Sequence, residues 1–385
     1  MREFTYTMPT HIVFQAGAFR QAPDYANRLE MKNPLLVMDR TLMQLPFGKE
    51  LCTAFPDAPV FCDVEVNPTI SSVNRCASFV EKHKCDGIIV LGGGSCIDTA
   101  KGASVAATAH KDVALFLDGR ENRLSVPKHP LPIIAIPTTS GTGSEVSQYA
   151  VISDETTLRK DSISSNAICP AIALVDPLLT IGLPRSLTIS TGLDVMSHAL
   201  EAMLSKIENP LTDVLALEAL RIVFHNLPIC VEYPEEREAR SHMAYASTLA
   251  GIAMSHCCGT LPHGMGCPLS GHYQVPHGLA VGVLQRYALL HMGHEKDEEC
   301  YRIMKNIEEG YTGSPEEAKD ALIQKIDDLF LRIGCPKDLA EYHLNEEGIA
   351  RMADDAMVHG CTSLNPVEVN RDEVIAIYRE VRGCL

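Results

Sequence analysis

Residues 87–101 read GIIVLGGGSCIDTAK and combine a short apolar run, three glycines in a row and a helical pattern. The run 87–91 is typical of a strand that is buried on both faces of a sheet. Glycines at its end let a phosphate approach the backbone, and the helix that follows directs free N–H groups and its positive dipole end at the anion. The stretch therefore predicts a strand, a phosphate-binding loop and a helix.

A glycine turn without any ligand remains an alternative for this loop. The third glycine of the G-x-G-x-x-G dinucleotide fingerprint is absent, because Ile97 stands there. A second polar loop, PTTSGTGSEVS at 137–147, also follows an apolar run and is rich in hydroxyls and glycines. Two such loops at the C-terminal ends of parallel strands would face one crevice, and a dinucleotide is long enough to use both.

The rest of the first half repeats this alternation. Apolar runs at 34–38, 58–64, 133–136 and 172–175 predict further buried strands, and the patterns at 70–83 and 96–109 predict helices between them. Asp39 ends the first of these strands, where an acid can accept hydrogen bonds from ribose hydroxyls and repel a 2′-phosphate, which favours NAD over NADP. A surface acid at a strand end is the alternative interpretation of Asp39.

From Ser186 onward the strand pattern gives way to helical periodicity. The predicted helices cover 186–205, 211–226, 237–256, 279–292, 297–309, 345–358 and 371–382, and another lies between the N-cap Ser314 and the terminating Gly334. A chain of 385 residues usually forms two domains. We predict an α/β dinucleotide-binding domain with a parallel sheet over 1–180, an all-α metal-binding domain over 181–385, and a substrate cleft between them.

Asp194 and His198 form a possible pair of metal ligands in the predicted helix 186–205. At a spacing of four residues both side chains lie on one helix face, close enough to reach one ion. With 15 histidines and 49 acidic residues in the chain, chance alone gives about two such pairs, so the pair by itself is a weak signal. A histidine satisfied within the core is the alternative.

Two further histidines strengthen the metal hypothesis. His263 and His277 each precede a glycine and follow a proline, Pro262 and Pro276. Rigid turns of this kind can hold an imidazole at a helix end. Asp194, His198, His263 and His277 all lie in the predicted helical domain, whereas both phosphate-type loops lie in the α/β domain.

Composition limits the possible partners and compartments. The net charge of −16 argues against nucleic acid and anionic membranes as partners. The 14 cysteines follow no disulfide framework, and we identify no secretory leader and no apolar run of the ~20 residues that a membrane span needs. We therefore expect a cytoplasmic protein with reduced thiols.

Several motifs occur in one order through nearly the whole chain. They are GGGSCIDTAK (92–101), IPTTSGTGSEVSQYAVISD (136–154), LVDP (174–177), STGLDVMSHALEA (190–202), NPLTDVLALEALRIV (209–223) and the two histidines before glycine. In these motifs the chain resembles the iron-containing (group III) metal-dependent alcohol dehydrogenases, whose fold is that of dehydroquinate synthase and glycerol dehydrogenase. The resemblance implies a Rossmann-like NAD domain, a helical metal domain and a homodimer or higher homo-oligomer.

The resemblance also implies roles for individual positions. The ligands of one divalent ion, Fe²⁺ or Zn²⁺, would be Asp194, His198, His263 and His277. The residues implied in NAD binding are Asp39, Gly93, Gly94, Ser95, Asp98, Thr138, Thr139, Thr142, Val151 and Lys160. The positions implied to line a substrate pocket are Gln148, Tyr149, Met254 and Cys267.

One position departs from the family pattern. Many relatives have a histidine four residues after the third ligand, where it is thought to relay protons or contact the substrate, and this chain has Cys267 instead. A thiol is a poor proton shuttle unless its pKa is lowered. The segment 256–259 also departs from the small-residue pattern of the family.

The resemblance implies an NAD(H)-dependent alcohol dehydrogenase or aldehyde reductase that acts on a short alcohol or aldehyde. The ion would polarise the substrate oxygen while nicotinamide carries the hydride. A polar or anionic tail on the substrate, the choice among iron, zinc and manganese, and the physiological direction are left open. The alternatives are a dehydroquinate synthase-like enzyme that recycles NAD internally and a non-catalytic metal or nucleotide sensor.

Overall fold

Apolar segments of the N-terminal half pair into one parallel sheet in the computed structural model, which describes residues 3–383. The strands of this half are β1 (His11–Phe14), β2 (Pro34–Val37), β3 (Val60–Phe61), β4 (Gly87–Gly92), β5 (Ile133–Pro137), β6 (Tyr149–Ser153), β7 (Lys160–Ser164) and β8 (Ile172–Val175). Six of them form the sheet in the order β1-β8-β5-β4-β2-β3. The chain grows outward from β2 to β3 on one side and from β4 through β5 to β8 on the other, so the order reverses between β2 and β4.

Helices cover both faces of this sheet. They are α1 (Ala22–Arg28), α2 (Arg40–Gln44), α3 (Pro46–Ala54), α4 (Ile70–His83) and α5 (Gly94–Ala109). Ile88 and Val90 of β4 pack with α4 and α5 on one face, whereas Ile89 and Leu91 pack with α1 and α3 on the other. Because successive side chains of a strand alternate between faces, a strand covered on both sides must be apolar throughout, and β4 is buried along its whole length.

The predicted parallel sheet is confirmed, but the sequence prediction missed three strands. β1 is an edge strand with partly exposed residues, so it lacks the apolar run of a doubly buried strand. β6 and β7 form a separate antiparallel hairpin in which Tyr149 pairs with Ser164 and Ser153 with Lys160. The run at 58–64 yields only the two-residue strand β3.

The C-terminal half contains helices throughout its described residues. They are α6 (Arg185–Leu204), α7 (Pro210–Glu232), α8 (Arg237–Cys257), α9 (Leu261–Tyr273), α10 (His277–His291), α11 (Asp297–Ile307), α12 (Pro315–Ile333), α13 (Glu346–Val358) and α14 (Arg371–Val381). α12 has the predicted capping box of Ser314 with Glu317 and ends at Gly334, whose φ is +66°. The predicted all-α character of this half is confirmed.

Helix α9 was not predicted, because Pro268 and several glycines interrupt its pattern. In the structure these glycines allow close packing. A side chain at Gly266 would meet Val281 of α10 at 2.6 Å, and one at Gly264 would collide with Thr362. Pro262 lies in the first turn of α9, where its missing N–H has no helical partner in any case.

Helix α7 is a core helix. Its length and composition would suffice to cross a membrane. However, it carries Asp213 and Arg221, and Ala216, Leu220 and Val223 are fully buried in the core of the helical half. Its apolar character is thus explained by packing against the other helices.

The chain divides into two compact units. One comprises Thr7–Ile181, and the other comprises residues 3–6 and 182–383 of the described chain. Within the second unit, Asn209 Nδ2 donates to the carbonyl oxygen of Thr5 at 3.4 Å, and the ring of Tyr6 stacks on that of His256 at 4.3 Å. This division differs from the predicted one in the short N-terminal segment, which carries no strand or helix pattern that could have assigned it.

Candidate functional site

The glycine loop of residues 92–94 lies at the reversal point of the sheet, where open α/β sheets bind ligands. Helix α5 begins at Gly94, two residues earlier than predicted, with Gly93 as its N-cap. The N-terminal N–H groups of this 16-residue helix therefore start inside the loop. This is the arrangement that binds phosphate groups at a helix N-terminus.

The second polar loop packs directly on the first. A side chain at Gly93 would meet Thr139 Oγ1 at 3.1 Å, and one at Gly94 would meet Thr142 Cγ2 at 2.6 Å. Position 94 therefore accommodates only glycine while Thr142 stays in its present position. The structure brings Gly93, Gly94, Thr139 and Thr142 together, as expected for loops at the ends of neighbouring parallel strands. Thr138 is buried and its N–H donates to the carbonyl oxygen of Gly92 at 3.1 Å.

Two charged residues of α5 brace the second loop. Lys101 is fully buried, and its Nζ donates to the carbonyl oxygens of Ser147 at 2.9 Å and Tyr149 at 2.7 Å. Asp98 accepts hydrogen bonds from Ser144 Oγ at 2.6 Å and from the N–H of Val151 at 3.0 Å. Burial raises the pKa of Asp98, and the neighbouring Lys101 opposes that change. These bonds give Asp98 and the backbone of Val151 a structural role, and their predicted contacts with NAD stay predictions.

A chain of hydrogen bonds connects the hairpin β6–β7 to the glycine loop. Lys160 Nζ donates to Asn67 Oδ1 at 2.7 Å, and the N–H of Asn67 donates to Ser95 Oγ at 3.2 Å. Two predicted cofactor residues, Lys160 and Ser95, are thus linked through Asn67. The sequence prediction missed Asn67, which has a left-handed φ of +57°.

Asp39 follows β2 at the reversal point and caps helix α2. Its Oδ1 accepts hydrogen bonds from the N–H groups of Thr41 and Leu42, both at 2.8 Å. The side chain is partly exposed. These bonds give Asp39 a structural role as a helix cap. Its carboxylate charge remains at the strand end.

The four predicted metal ligands lie together in the helical unit. Asp194 and His198 project from α6, His263 lies in the first turn of α9, and His277 is the first residue of α10. The Nε2 atoms of His198, His263 and His277 lie 3.6, 3.9 and 3.8 Å from Asp194 Oδ1. One ligand atom from each of Asp194, His263 and His277 lies within 4.8 Å of the other two.

Close helix packing produces this cluster. A side chain at Gly278 would collide with the carbonyl oxygen of Ser190, and one at Gly282 would meet Leu193 at 2.9 Å. Glycines at these two positions therefore let the start of α10 lie directly on α6. This contact places His277 beside Asp194.

Glu201 holds the orientation of His263. Its Oε1 accepts hydrogen bonds from His263 Nδ1 at 2.6 Å and from Gln285 Nε2 at 2.7 Å. Its Oε2 accepts from the N–H of Thr260 at 2.5 Å. With Nδ1 as the donor, the lone pair of the neutral His263 ring is on Nε2, the atom that faces Asp194.

The charges of Glu201 and His263 stabilise each other. Burial alone would lower the pKa of His263, but the Glu201 carboxylate raises it to about 9. Burial likewise opposes ionisation of Glu201, yet His263 and the hydrogen bond from Thr260 lower its pKa below the usual range. The sequence prediction missed Glu201, although it lies three residues after His198, on the helix face of the ligands.

The donor set fits a divalent ion. Asp194 Oδ1 and His263 Nε2 are buried and have no hydrogen-bond partner within residues 3–383. Buried polar atoms without a partner are costly, so such atoms facing each other indicate a missing binding partner. Tetrahedral ligands about 2.1 Å from an ion lie about 3.4 Å apart, close to the separations found around Asp194. A set of one carboxylate and three imidazoles suits Fe(II) or Zn(II).

The predicted substrate-pocket residues lie in both units. Gln148 and Tyr149 are at the start of the β6–β7 hairpin, Met254 is a partly buried residue of α8, and Cys267 is buried in α9. The carbonyl oxygen of Gln148 accepts from the N–H of Ser165 at 2.9 Å, and that of Tyr149 accepts from Lys101 Nζ at 2.7 Å. Their role in substrate binding stays a prediction.

Comparisons with known proteins cover both units. The family described as "Iron-containing alcohol dehydrogenase" matches residues 9–177, and the one described as "Fe-containing alcohol dehydrogenase family, C-terminal" matches residues 188–382. The chain belongs to the iron-containing alcohol dehydrogenase family. It is therefore an oxidoreductase of the alcohol dehydrogenase class, and the predicted family is confirmed.

Individual members of this family are similar over their full length. A 1,3-propanediol dehydrogenase of Klebsiella pneumoniae is 34% identical, over 98% of this chain and 99% of its own. A crystal structure of a 1,3-propanediol oxidoreductase has a TM-score of 0.93 at 34% identity, covering 99% of this chain and 100% of its own. The sulfoacetaldehyde reductase of Bifidobacterium kashiwanohense in complex with NAD⁺ has a TM-score of 0.88 at 31% identity, covering 100% of both chains.

Proposed function

We propose that this chain is an NAD(H)- and metal-dependent dehydrogenase that interconverts a short alcohol and its aldehyde. The observation that carries the proposal is the convergence of three imidazole Nε2 atoms within 3.6 to 3.9 Å of Asp194 Oδ1. Asp194 Oδ1 and His263 Nε2 are buried and have no hydrogen-bond partner within the described residues, whereas a purely structural cluster would be expected to satisfy such atoms with hydrogen bonds.

Asp194, His198, His263 and His277 would hold the metal. When bound, the ion supplies a Lewis acid that lowers the pKa of an alcohol or polarises an aldehyde carbonyl. In the neutral His263 ring, the hydrogen bond to Glu201 keeps the proton on Nδ1, so Nε2 is the nitrogen that would bind the ion. Asp194 is buried, and burial strengthens these electrostatic interactions.

Gly93, Gly94 and Ser95 would hold the pyrophosphate of NAD at the N-terminus of α5. Thr139 and Thr142 pack against the same loop, so their hydroxyls are suitable donors to the phosphate or the nicotinamide half. A bound NAD⁺ in the similar sulfoacetaldehyde reductase supports this cofactor. The hydride chemistry itself belongs to the nicotinamide.

Reconstitution of chelated protein tests the proposal. We expect no turnover after full chelation, and recovery on addition of Fe(II), Zn(II) or Mn(II), measured by NADH absorbance with two- to four-carbon aldehydes and diols. The metal that restores the highest rate identifies the preferred ion. Activity that persists after complete removal of metal would contradict the metal role, and absence of NADH change with every substrate would contradict the dehydrogenase.

Metal affinity should rise with pH. A pKa of about 9 for His263 means that near neutral pH a proton occupies the nitrogen that would bind metal. We expect affinity to rise about tenfold per pH unit, because one proton is released per ion bound, and to level off above about pH 9. Zinc titrations of chelated protein measure this, and a flat profile contradicts it.

The stability of the metal-free protein should change with pH in the opposite direction and fall as the pH rises. The folded-state pKa of His263 is raised above the ordinary value of 6.5, so its interaction with Glu201 stabilises the fold fully below about pH 6.5. That contribution is lost as the pH rises through about 9. Thermal unfolding of chelated protein should therefore show a falling midpoint across this window, whereas zinc-loaded protein should not.

Two substitutions of Asp39 separate its cap from its charge. Asp39→Asn keeps an oxygen that can accept from Thr41 and Leu42, so we expect nearly unchanged stability but a lower preference for NAD over NADP in kcat/KM. Asp39→Ala loses the cap as well and should lower the free energy of unfolding by about 1 kcal/mol. An unchanged cofactor preference in both variants would leave Asp39 a cap only.

A substrate with a polar or anionic tail is our choice within this class. The names of two similar proteins, acting on 1,3-propanediol and sulfoacetaldehyde, support it. The synthase alternative is not favoured, since the named relatives are dehydrogenases and reductases. We also propose that the protein is cytoplasmic and forms a homodimer or higher homo-oligomer. Light scattering on the purified protein measures the oligomeric state directly.

A further inference from the structure

Cys258 has a backbone conformation that side chains rarely adopt. It follows the last residue of α8 with φ +60° and ψ 171°, a region that is essentially reserved for glycine. Its N–H donates to the carbonyl oxygen of Met254 at 2.7 Å, which fixes the turn. Strained backbone of this kind is common at functional sites, so the Cys258 side chain is a candidate for a function.

A second thiol faces this residue. Cys258 Sγ lies 3.6 Å from Cys361 Sγ, across a sequence separation of 103 residues. Cys361 belongs to the short helical turn Gly360–Leu364. Both cysteines are reduced and partly exposed, so a small oxidant can reach them.

We propose that Cys258 and Cys361 form a redox-modification site, at which a two-electron oxidant produces an intramolecular disulfide that weakens metal binding. With a peroxide, one thiolate attacks the O–O bond to give a sulfenic acid and a water or alcohol. The second thiol then attacks the sulfenic sulfur, and its proton leaves with the sulfenic hydroxyl group as water while the S–S bond forms. With a diazene, the two thiols give up two protons and two electrons, and the N=N bond becomes N–N with two N–H bonds.

The turn that contains Cys258 is connected to the metal cluster. A side chain at the next residue, Gly259, would meet His263 Cβ at 2.8 Å. The residue after it, Thr260, donates both its N–H and its hydroxyl to Glu201 Oε2, at 2.5 and 3.2 Å. A shift of residues 258–260 therefore reaches the carboxylate that orients His263.

The turn that contains Cys361 contacts the first turn of α9 as well. Thr362 donates to the carbonyl oxygen of Ala356 at 2.6 Å, and its hydroxyl fills the place of a side chain at Gly264, next to His263. A disulfide needs an S–S distance of about 2.0 Å, so the two sulfurs must approach by more than an ångström. The displacement acts on both sides of the first turn of α9, and it rests on His263 being a ligand as proposed above.

The test uses zinc-loaded protein treated with diamide, a diazene that avoids the peroxide chemistry of iron. Peptide mapping without reduction should identify a 258–361 crosslink, and zinc affinity should fall at least about tenfold. Dithiothreitol should reverse both changes. No such crosslink, or a crosslink with unchanged zinc affinity, overturns the proposal.

Three variants sharpen the result. Cys258→Gly suits the backbone conformation, so it should be at least as stable as the parent and should keep its zinc under diamide. Cys361→Ser should also resist diamide, whereas the control Cys62→Ser, in the other unit, should behave like the parent. Loss of zinc from Cys258→Gly at the parental rate overturns the proposal. The crosslink is mapped without any assay of turnover, so failure of the proposed dehydrogenase activity remains distinguishable.

Discussion

His263→Ala is expected to abolish most metal binding and to leave NAD binding intact. The substitution removes the Nε2 atom that lies 3.9 Å from Asp194 Oδ1. It also leaves the buried carboxylate of Glu201 without the hydrogen bond from His263 Nδ1. Mutation of a residue that hydrogen-bonds to a ligand typically lowers metal affinity by roughly 10- to 100-fold. Loss of a ligand itself should lower the affinity further. Because Lewis acid assistance is worth several kcal/mol, kcat/KM should fall on the order of a thousandfold.

Metal content by elemental analysis and NAD affinity by calorimetry separate the two effects. The glycine loop belongs to the other unit, so NAD affinity should change little. His272→Ala is the matched control, because this histidine is also in α9 and also binds a carboxylate, Asp355, at 2.8 Å. We expect the control to retain its metal. Equal metal content in His263→Ala and the parent would remove His263 from the ligand set.

Glu201→Gln is expected to lower metal affinity by about 10- to 100-fold without unfolding the protein. The amide keeps the shape of the side chain but replaces one accepting oxygen with a donor, so either His263 or Thr260 loses its acceptor. The His263 ring is then free to adopt the other tautomer. Saturating zinc should restore much of kcat, since the substitution weakens positioning and leaves the ligands in place.

The pH profile distinguishes positioning from general damage to the fold. Without the carboxylate, the pKa of His263 should fall from about 9, so metal affinity should level off at a lower pH than in the parent. Glu201→Ala leaves several buried donors unpaired and should reduce the free energy of unfolding by about 3 kcal/mol or more. Glu218 forms an exposed ion pair with Arg221. Glu218→Gln should therefore change neither the pH profile of metal affinity nor the free energy of unfolding. An unshifted pH profile in Glu201→Gln would contradict the positioning role.

The hydrophobic pattern of the sequence predicts a strand or helix well where that element is buried on one face or on all faces. β4 is apolar throughout because helices cover both its faces, and α4 was predicted with the bounds Ile70–His83 that it has. β1 and the β6–β7 hairpin have mixed burial, so their sequences contain no clear pattern. Helix α9 forms despite Pro268 because tertiary packing at its glycines outweighs local propensity.

The sequence predicts the proposed ligands but not the residues that support them. Asp194 and His198 share a helix face by spacing alone, whereas His263 and His277 were included because they precede glycines and match a family motif. What brings His277 to Asp194 is the close approach of α10 to α6 at Gly278, a tertiary contact that no local pattern contains. Glu201, Asn67 and Lys101 act through hydrogen bonds to residues distant in sequence, and only the structure identifies those partners.

The proposed ligands come from three helices, and His198 and His263 are separated by 65 positions in the chain. An unfolded chain cannot gather such distant groups, so metal would bind the folded helical unit alone. Free metal at about 100 times its Kd would then add about 2.7 kcal/mol to the free energy of unfolding. The survival of newly made enzyme would thus depend on metal supply, and starvation for metal would deplete the protein as well as its activity.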